Sequence, residues 1–409
     1  MKITGIIAEY NPFHNGHLYQ IRKCNEQGSD LIVAVISGSF TQRGEATVLD
    51  KWQRAAAAAA SGCDLVLELP FAFACRSAQD FARGGIMLLT RLGIVNQLAF
   101  GAECTDLSLL KSIAQRLDEE TFQKQLHPYI ASGLSYAQAI SQILSVAHYD
   151  CGELIKQPNN ILAIEYLRSL RHINASLQPL LIPRQGADYH EETIRGPLAS
   201  ATAIRQSLYA GEKPTALKKV LPPSSLAMTQ HLQPSQLPQM NRLYLPLKVK
   251  LLTSQRQQLQ SIYGINEGLE NRILRQAATA DSWQALIQAV TTKRYPASRI
   301  ARTLLYLLLG LKQESIARYD QSGPLYARLL AASPRGKAYL GEIKIHSCIP
   351  LISKTSQYLT TSKRCKEPNA LTPLEQMLSL DTLATELRNL TCEKPSPRND
   401  FQQSPLFSP

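Results

Sequence analysis

Short apolar runs recur through the first half of the chain, at 3–8, 31–36, 65–69, 98–101 and 180–182, each bounded by Gly, Ser, Glu or Pro. Between them lie stretches with helical spacing, at 18–26, 51–61, 78–92 and 160–171. Strands that alternate with helices pair in parallel through crossovers. The pattern therefore predicts an α/β, Rossmann-like doubly wound parallel sheet, with its ligand crevice at the strand C-termini. Around Gly211-Glu212-Lys213-Pro214 the pattern changes. Residues 222–246, rich in Pro, Ser and Gln, read as a linker or irregular connection, and 247–311 read as helical. Further on, 338–351 suggest a strand–helix unit, and 393–409 a polar tail expected to lack order in part.

The first strand runs into a turn of the form His14-Asn15-Gly16-His17. Two histidines at a helix start, where backbone N–H groups are unpaired and the dipole is positive, make an anion site with two extra donors. Imidazoles placed there suit the charge that builds on phosphate as pyrophosphate leaves. Zinc would need a third ligand at a suitable spacing. Surface histidines capping a helix are the plain alternative. Further along, Ser200, Thr202 and Arg205 are spaced to lie at and inside the first turn of a helix, offering hydroxyl, backbone and guanidinium donors to one phosphate.

Weaker signals also follow strands. Ser37-Gly38 with Gln42-Arg43-Gly44-Glu45 can form a ligand loop, and Gly101 could let a base or ribose lie against the backbone. Asn159 and Asn160 precede an apolar helix as an ordinary cap or a nucleotide contact, and Lys51 and Arg54 read as solvated charges opening another. In the helical half, Lys293, Arg294, Arg299 and Arg302 surround Tyr295, either as an RNA contact or as a solvated face.

At 409 residues the chain exceeds one ordinary core. A net charge of +12 fits a polyanionic partner, nucleic acid above all. Mean hydropathy of −0.15 and the absence of a long apolar run exclude a membrane-spanning helix. The eight cysteines show no paired spacing, which favours reduced structural thiols over disulfides or a metal cluster. The first residues enter strand-like sequence directly, so the cytoplasm is the expected location.

The histidine turn and the Ser200-Ala201-Thr202-Ala203-Ile204-Arg205 segment resemble the paired signatures of the nucleotidyltransferases related to class I aminoacyl-tRNA synthetases. The longer words 5–17, 37–45, 100–103 and 158–162, with 292–295, Arg299-Ile300 and Asp400-Phe401, resemble the bacterial tRNA(Met) cytidine acetate ligases over nearly the whole chain. That resemblance implies formation of N4-acetylcytidine at the wobble position, C34, of elongator tRNA(Met), from acetate and ATP through acetyl-adenylate. It implies an ATP site comprising Ile7, Ala8, Glu9, Tyr10, Asn11, Pro12, Phe13, His14, Asn15, Gly16, His17, Leu18, Tyr19 and Gln20, with Gly101, Asn159, Asn160 and Arg184. His14 and His17 would stabilise the leaving phosphates, and Ser200, Thr202 and Arg205 would hold the β- and γ-phosphates. Arg184 lies in Ile182-Pro183-Arg184-Gln185-Gly186, just after the last strand. Lys293, Arg294 and Arg299 would contact tRNA.

Mg2+ is expected to accompany ATP, although no carboxylate stands out as its anchor. Two positions depart from expectation. Ala201 stands where the superfamily has a second hydroxyl, and the alanines 55–60 fall where polar residues would line a substrate site. The domains implied are 1–212 (ATP-binding and catalytic), 213–320 (mostly helical, contacting tRNA) and 321–409 (an α/β segment with the tail). The competing readings are transfer of a nucleotide to a small phosphorylated metabolite, and a tRNA-binding protein with a silent nucleotide fold.

Overall fold

Strands β1 (Ile3–Ala8), β2 (Leu31–Ser37), β3 (Leu65–Leu69), β4 (Gln97–Ala102) and β5 (Gln178–Pro183) form within two residues of the ends that the apolar runs predict. All their mutual pairings are parallel, in the order β5-β4-β1-β2-β3. In this computed structural model the described residues are 1–407 except 135, 148, 185–195, 197, 213, 231 and 367–369. Gln185 and Gly186 beyond β5, Lys213 at the change of pattern, and Ser408 and Pro409 at the end of the tail lie outside them.

Every residue of β2 and β3 is buried, as expected for strands covered on both faces. Alternate side chains feed two cores. Ile7, Val33, Val35 and Leu67 pack with Phe81, Ile86 and Leu89 of the helix Ala78–Arg91. Ile6, Ala34, Ile36 and Val66 belong with Ile21 and Cys24 of α1 (Asn15–Glu26) and with the alanines of α2 (Lys51–Ala60). Gly85 permits the first contact, since a Cβ there would meet Ile7 Cδ1 at 2.6 Å. Strand order reverses at β1, between β2 and β4, so the crevice of a doubly wound sheet opens beyond Ala8 and Ala102.

Several expectations need correction. Lys51 and Arg54 are not solvated: they are 1% and 0% exposed. Lys51 Nζ lies 2.8 Å from Glu68 and 2.6 Å from Asp400, while Arg54 reaches backbone carbonyls. The alanines explain this, because α2 lies closely across the sheet and has no room to turn its basic residues outward. Of the two readings of segment 222–246, the irregular connection holds, and it is packed rather than a free linker. It contains the helix Pro223–Thr229 and the 3-10 turns Pro234–Gln236 and Met240–Leu243, with Leu237 and Leu243 buried. Pro222, Pro223 and Pro234 stand at or next to turn starts, where a missing N–H costs least. Residues 107–154 form helices Leu107–Leu117, Glu120–Ala131, Tyr136–Ala147 and Tyr149–Leu154 between β4 and the helix Pro158–His172.

The end of the chain returns to the sheet. Strand β6 (Ala327–Ala332) pairs antiparallel with β3, placing Arg328 opposite Glu68. Strands β7 (Leu351–Ile352) and β8 (Leu406–Phe407) both pair with β6. The strand–helix unit expected at 338–351 is instead two short helices, Pro334–Ala338 and Leu340–His346, leading into β7. The tail is anchored, with Asp400 2% exposed and bonded to Lys51 and Arg328. No described helix is long and apolar enough to cross a membrane.

Candidate active site

Beyond β1 the chain turns sharply. Tyr10 takes φ 48°, sparsely populated for a side-chain-bearing residue, and its ring is 1% exposed. The Asn11–Pro12 peptide is cis. His14 is the N-cap of α1. Its Nδ1 accepts from Gly16 N–H at 3.0 Å, and His14 N–H donates to His17 Nδ1 at 3.2 Å. A Cβ on residue 16 would lie 2.9 Å from His14 Cε1, so glycine allows that cap to close. The two imidazoles stack with centroids 3.8 Å apart, and Tyr10 meets His17 edge-on at 4.7 Å.

Burial, aided by Arg184 and Arg205, pushes His14 down to about 3. Burial, then His14 and Arg184, holds His17 well below its ordinary value. Both rings are thus neutral near pH 7. With each Nδ1 occupied as an acceptor, the proton sits on Nε2. Each ring can therefore offer an N–H donor to an oxyanion.

The second signature sits against the first. Ser200 caps the helix Ala201–Tyr209 by accepting from Ala203 N–H at 3.0 Å. Arg205 donates through Nη1 to the Asn11 carbonyl at 3.0 Å and through Nη2 to Thr202 Oγ1 at 3.2 Å. Asn15 ties to the far side of this unit, its N–H donating to Val220 O and its amide to Lys219 O, both at 3.0 Å. Histidines, helix N-terminus, hydroxyls and guanidinium therefore share one mouth.

At the other wall, Arg184 N–H donates to the Ala102 carbonyl at 3.0 Å and Arg184 Nε lies 3.8 Å from Glu103. Arg184 Cγ stands 3.4 Å from where a Cβ of Gly101 would be. Glu103 accepts from Asn159 Nδ2 at 2.5 Å and from Asn160 N–H at 3.0 Å. Asn160 is 2% exposed, and its amide is spent on Cys104 N–H at 2.8 Å and the Leu154 carbonyl at 3.1 Å. In this arrangement Asn160 fastens the wall, while Arg184 faces the crevice. Gln20 reaches from α1 to the Ala99 carbonyl of β4 at 3.3 Å.

Arg54, like Lys51, is buried where the sequence suggested a solvated charge. Its guanidinium donates to the carbonyls of Glu9 at 2.7 Å, Leu49 at 3.2 Å and Gly38, pinning the ends of β1 and β2 together. The available signal was its place beside Lys51 on a helix of alanines, a face that must pack closely. Gln42 and Arg302 extend the same frame, with Gln42 N–H donating to Glu9 Oε1 at 2.8 Å and Arg302 to the Gln42 carbonyl at 2.8 Å.

The basic cluster is only partly presented to solvent. Lys293 is exposed, Arg294 pairs with Glu267 at 2.7 Å, and Arg299 stacks over Tyr295 at 4.6 Å. Two cavities meet at Ser298. One, of about 440 Å³, includes Ile161, Ile164, Tyr295, Arg299 and Arg302. The other, of about 530 Å³, includes Thr202, Arg205, Arg43, Tyr209 and Trp283.

A doubly wound sheet with a histidine-lined helix N-terminus at its switch point, closed by an arginine from a second capped helix, defines a nucleotidyltransferase. The profile of the HIGH Nucleotidyl Transferase family matches residues 1–403, and the chain belongs to that family. A tRNA(Met) cytidine acetate ligase of Syntrophotalea carbinolica is 40% identical over 420 residues, covering 99% of each chain. One from Syntrophomonas wolfei is 39% identical, again over 99% of each. Among solved structures, apo Thermotoga maritima TmcAL superposes with a TM-score of 0.89 at 30% identity, covering 100% of this chain and 99% of that one. The same protein bound with alpha-thio ATP gives 0.87 at 29% identity. Within the nucleotidyltransferases the chain therefore stands among the tRNA(Met) cytidine acetate ligases.

Proposed function

We propose that this chain forms N4-acetylcytidine at C34 of elongator tRNA(Met), consuming acetate and ATP and releasing AMP and pyrophosphate. Acetate attacks the α-phosphate. His14 and His17 donate through Nε2 to oxygens that gain charge as pyrophosphate leaves, and Ser200, Thr202 and Arg205 hold the β- and γ-phosphates. Lys293, Arg294 and Arg299 serve tRNA contact, consistent with the +12 charge. In the domain division that accompanies this reading, residues 1–212 bind ATP and catalyse, 213–320 contact tRNA, and 321–409 form the C-terminal segment. Among the described residues no group of three or more His, Cys, Asp or Glu gathers into a metal cage. Mg2+, expected to accompany ATP, would bind through its phosphates.

The observation that carries the reading is the Arg205 contact with Asn11, which brings both signatures to one anion site at the β1 terminus. The test is incubation with ATP, labelled acetate and unmodified elongator tRNA(Met), followed by digestion and mass spectrometry. N4-acetylcytidine that depends on ATP and acetate is expected. A requirement for acetyl-CoA, or no product despite ATP binding, would overturn the reading.

A further inference from the structure

Resting on that reading, the second half-reaction needs a base. The exocyclic amine of cytosine has its lone pair drawn into the ring, so it attacks an acyl group effectively only as its proton is removed. The groups around the crevice can be taken in turn. His14 and His17 have both Nδ1 atoms spent as acceptors and carry their protons on Nε2. Glu103 is occupied by Asn159 and Asn160 and faces Arg184. Glu45, on the loop after β2, is itself exposed and lies 3.8 Å from Arg205.

Glu9 differs from all of these. It is the first residue after β1, at the switch point, in the turn that leads to the histidines. Its backbone is fixed by Arg54, and its carboxylate receives the Gln42 N–H at 2.8 Å. Among the described residues no cation lies within ion-pair distance of that carboxylate, although Arg43 and Arg205 act on it from farther off. A carboxylate that is oriented by one hydrogen bond but left without a salt bridge retains its basicity.

We propose that Glu9 is the proton acceptor for the attacking amine. The amine nitrogen bonds to the acetyl carbonyl carbon, and its proton passes to a Glu9 carboxylate oxygen. The bond from that carbon to the AMP phosphate oxygen breaks, and AMP leaves with the electron pair. Burial raises the Glu9 pKa against the opposing Gln42 hydrogen bond, which moves the group toward the range useful for a base. The charged and titratable groups facing it are Arg43 and Glu45 of the loop after β2, Arg205, Arg54, Tyr166 from the helix Pro158–His172, and Cys75.

The partial reactions separate this role from ATP binding. Acetate-dependent ATP–pyrophosphate exchange needs no tRNA, and acetyl transfer to tRNA follows in single turnover. In E9Q, transfer is expected to fall about 100-fold, the scale of a lost general base, and at least ten times further than exchange. The wild-type transfer rate should rise with pH along an acid limb that E9Q lacks, and E9D should restore that limb with part of the rate. Exchange and transfer falling in parallel, or an acid limb unchanged in E9Q, would overturn the proposal. Wild-type protein without acetate-dependent exchange would instead overturn the proposed function, a result distinct from either.

Discussion

Arg205 Nη1 donates to the Asn11 carbonyl at 3.0 Å, joining residues 194 positions apart across the mouth of the crevice. One guanidinium thereby fixes the histidine turn and, through Thr202, the first turn of its own helix. Lysine has one compact ammonium and no fork to span both. Arg205→Lys is expected to raise the KM for ATP about tenfold or more, on the scale of ~1.5–3 kcal/mol for a charge-assisted hydrogen bond. Exchange kinetics check this, and an unchanged KM would mean that the bridge is incidental.

In the proposed mechanism, His17→Ala removes an Nε2 donor from the oxygens that gain charge. Loss of one such preorganised donor costs about 10²–10³ in rate, so exchange should fall by that much while filter-bound tRNA is retained. A variant still exchanging at the wild-type rate would refute the role given to His17.

The neutral histidines carry a cost in acid. His14 titrates at about 3 when folded against 6.5 ordinarily. Between those values the unfolded chain binds the extra proton, so stability falls as pH drops from 6.5 towards 3, by up to about 1.4 kcal/mol per pH unit. His14→Asn keeps a side chain able to cap α1 and removes the titration. Its urea midpoint should decline less steeply than the wild type's between pH 7 and 4. Matching slopes would place the acid sensitivity elsewhere.

Asp400 holds Lys51 at 2.6 Å and Arg328 inside the protein. Arg328 and Lys51, overcoming its burial, hold its carboxyl below the ordinary carboxylate range. Asp400→Asn leaves two buried cations with a single remaining carboxylate partner, Glu68. Breaking a buried ion pair in this way costs about 3–5 kcal/mol. Denaturant unfolding should register the loss, and a change below about 1 kcal/mol would show the network to be slack.

Lys293 and Arg294 lie where tRNA phosphates are expected. Replacing both with Gln should weaken binding and reduce the slope of log affinity against log salt by about one unit per lost contact. Because Arg294 already pairs with Glu267, Lys293 should account for more of the change. An unaltered slope would locate the RNA track elsewhere.

The first five strands were legible because parallel strands buried on both faces leave uninterrupted apolar runs, as Leu31–Ser37 does with seven buried residues. The two signatures were legible as sequence patterns because each spans fewer than two helical turns, and the Arg205 contact with Asn11 brings them together. Strand β6 was not read as a strand. Ala327–Ala332 is six residues of Ala, Arg and Leu, and its place beside β3 depends on Arg328 meeting Glu68 from 260 positions away. Arg54 was misread for a related reason. Its partners are backbone carbonyls from three separate segments, and carbonyls leave no mark in a sequence.

Those distant contacts form a chain of dependence that ends at the crevice. Asp400 secures Lys51, Lys51 begins the helix that carries Arg54, and Arg54 positions Glu9. Asp400 lies 195 positions beyond Arg205, the last residue of the second signature. The geometry of the crevice thus draws on a carboxylate far outside either signature, and a change at Asp400 would reach Glu9 through Lys51 and Arg54 without touching a signature residue.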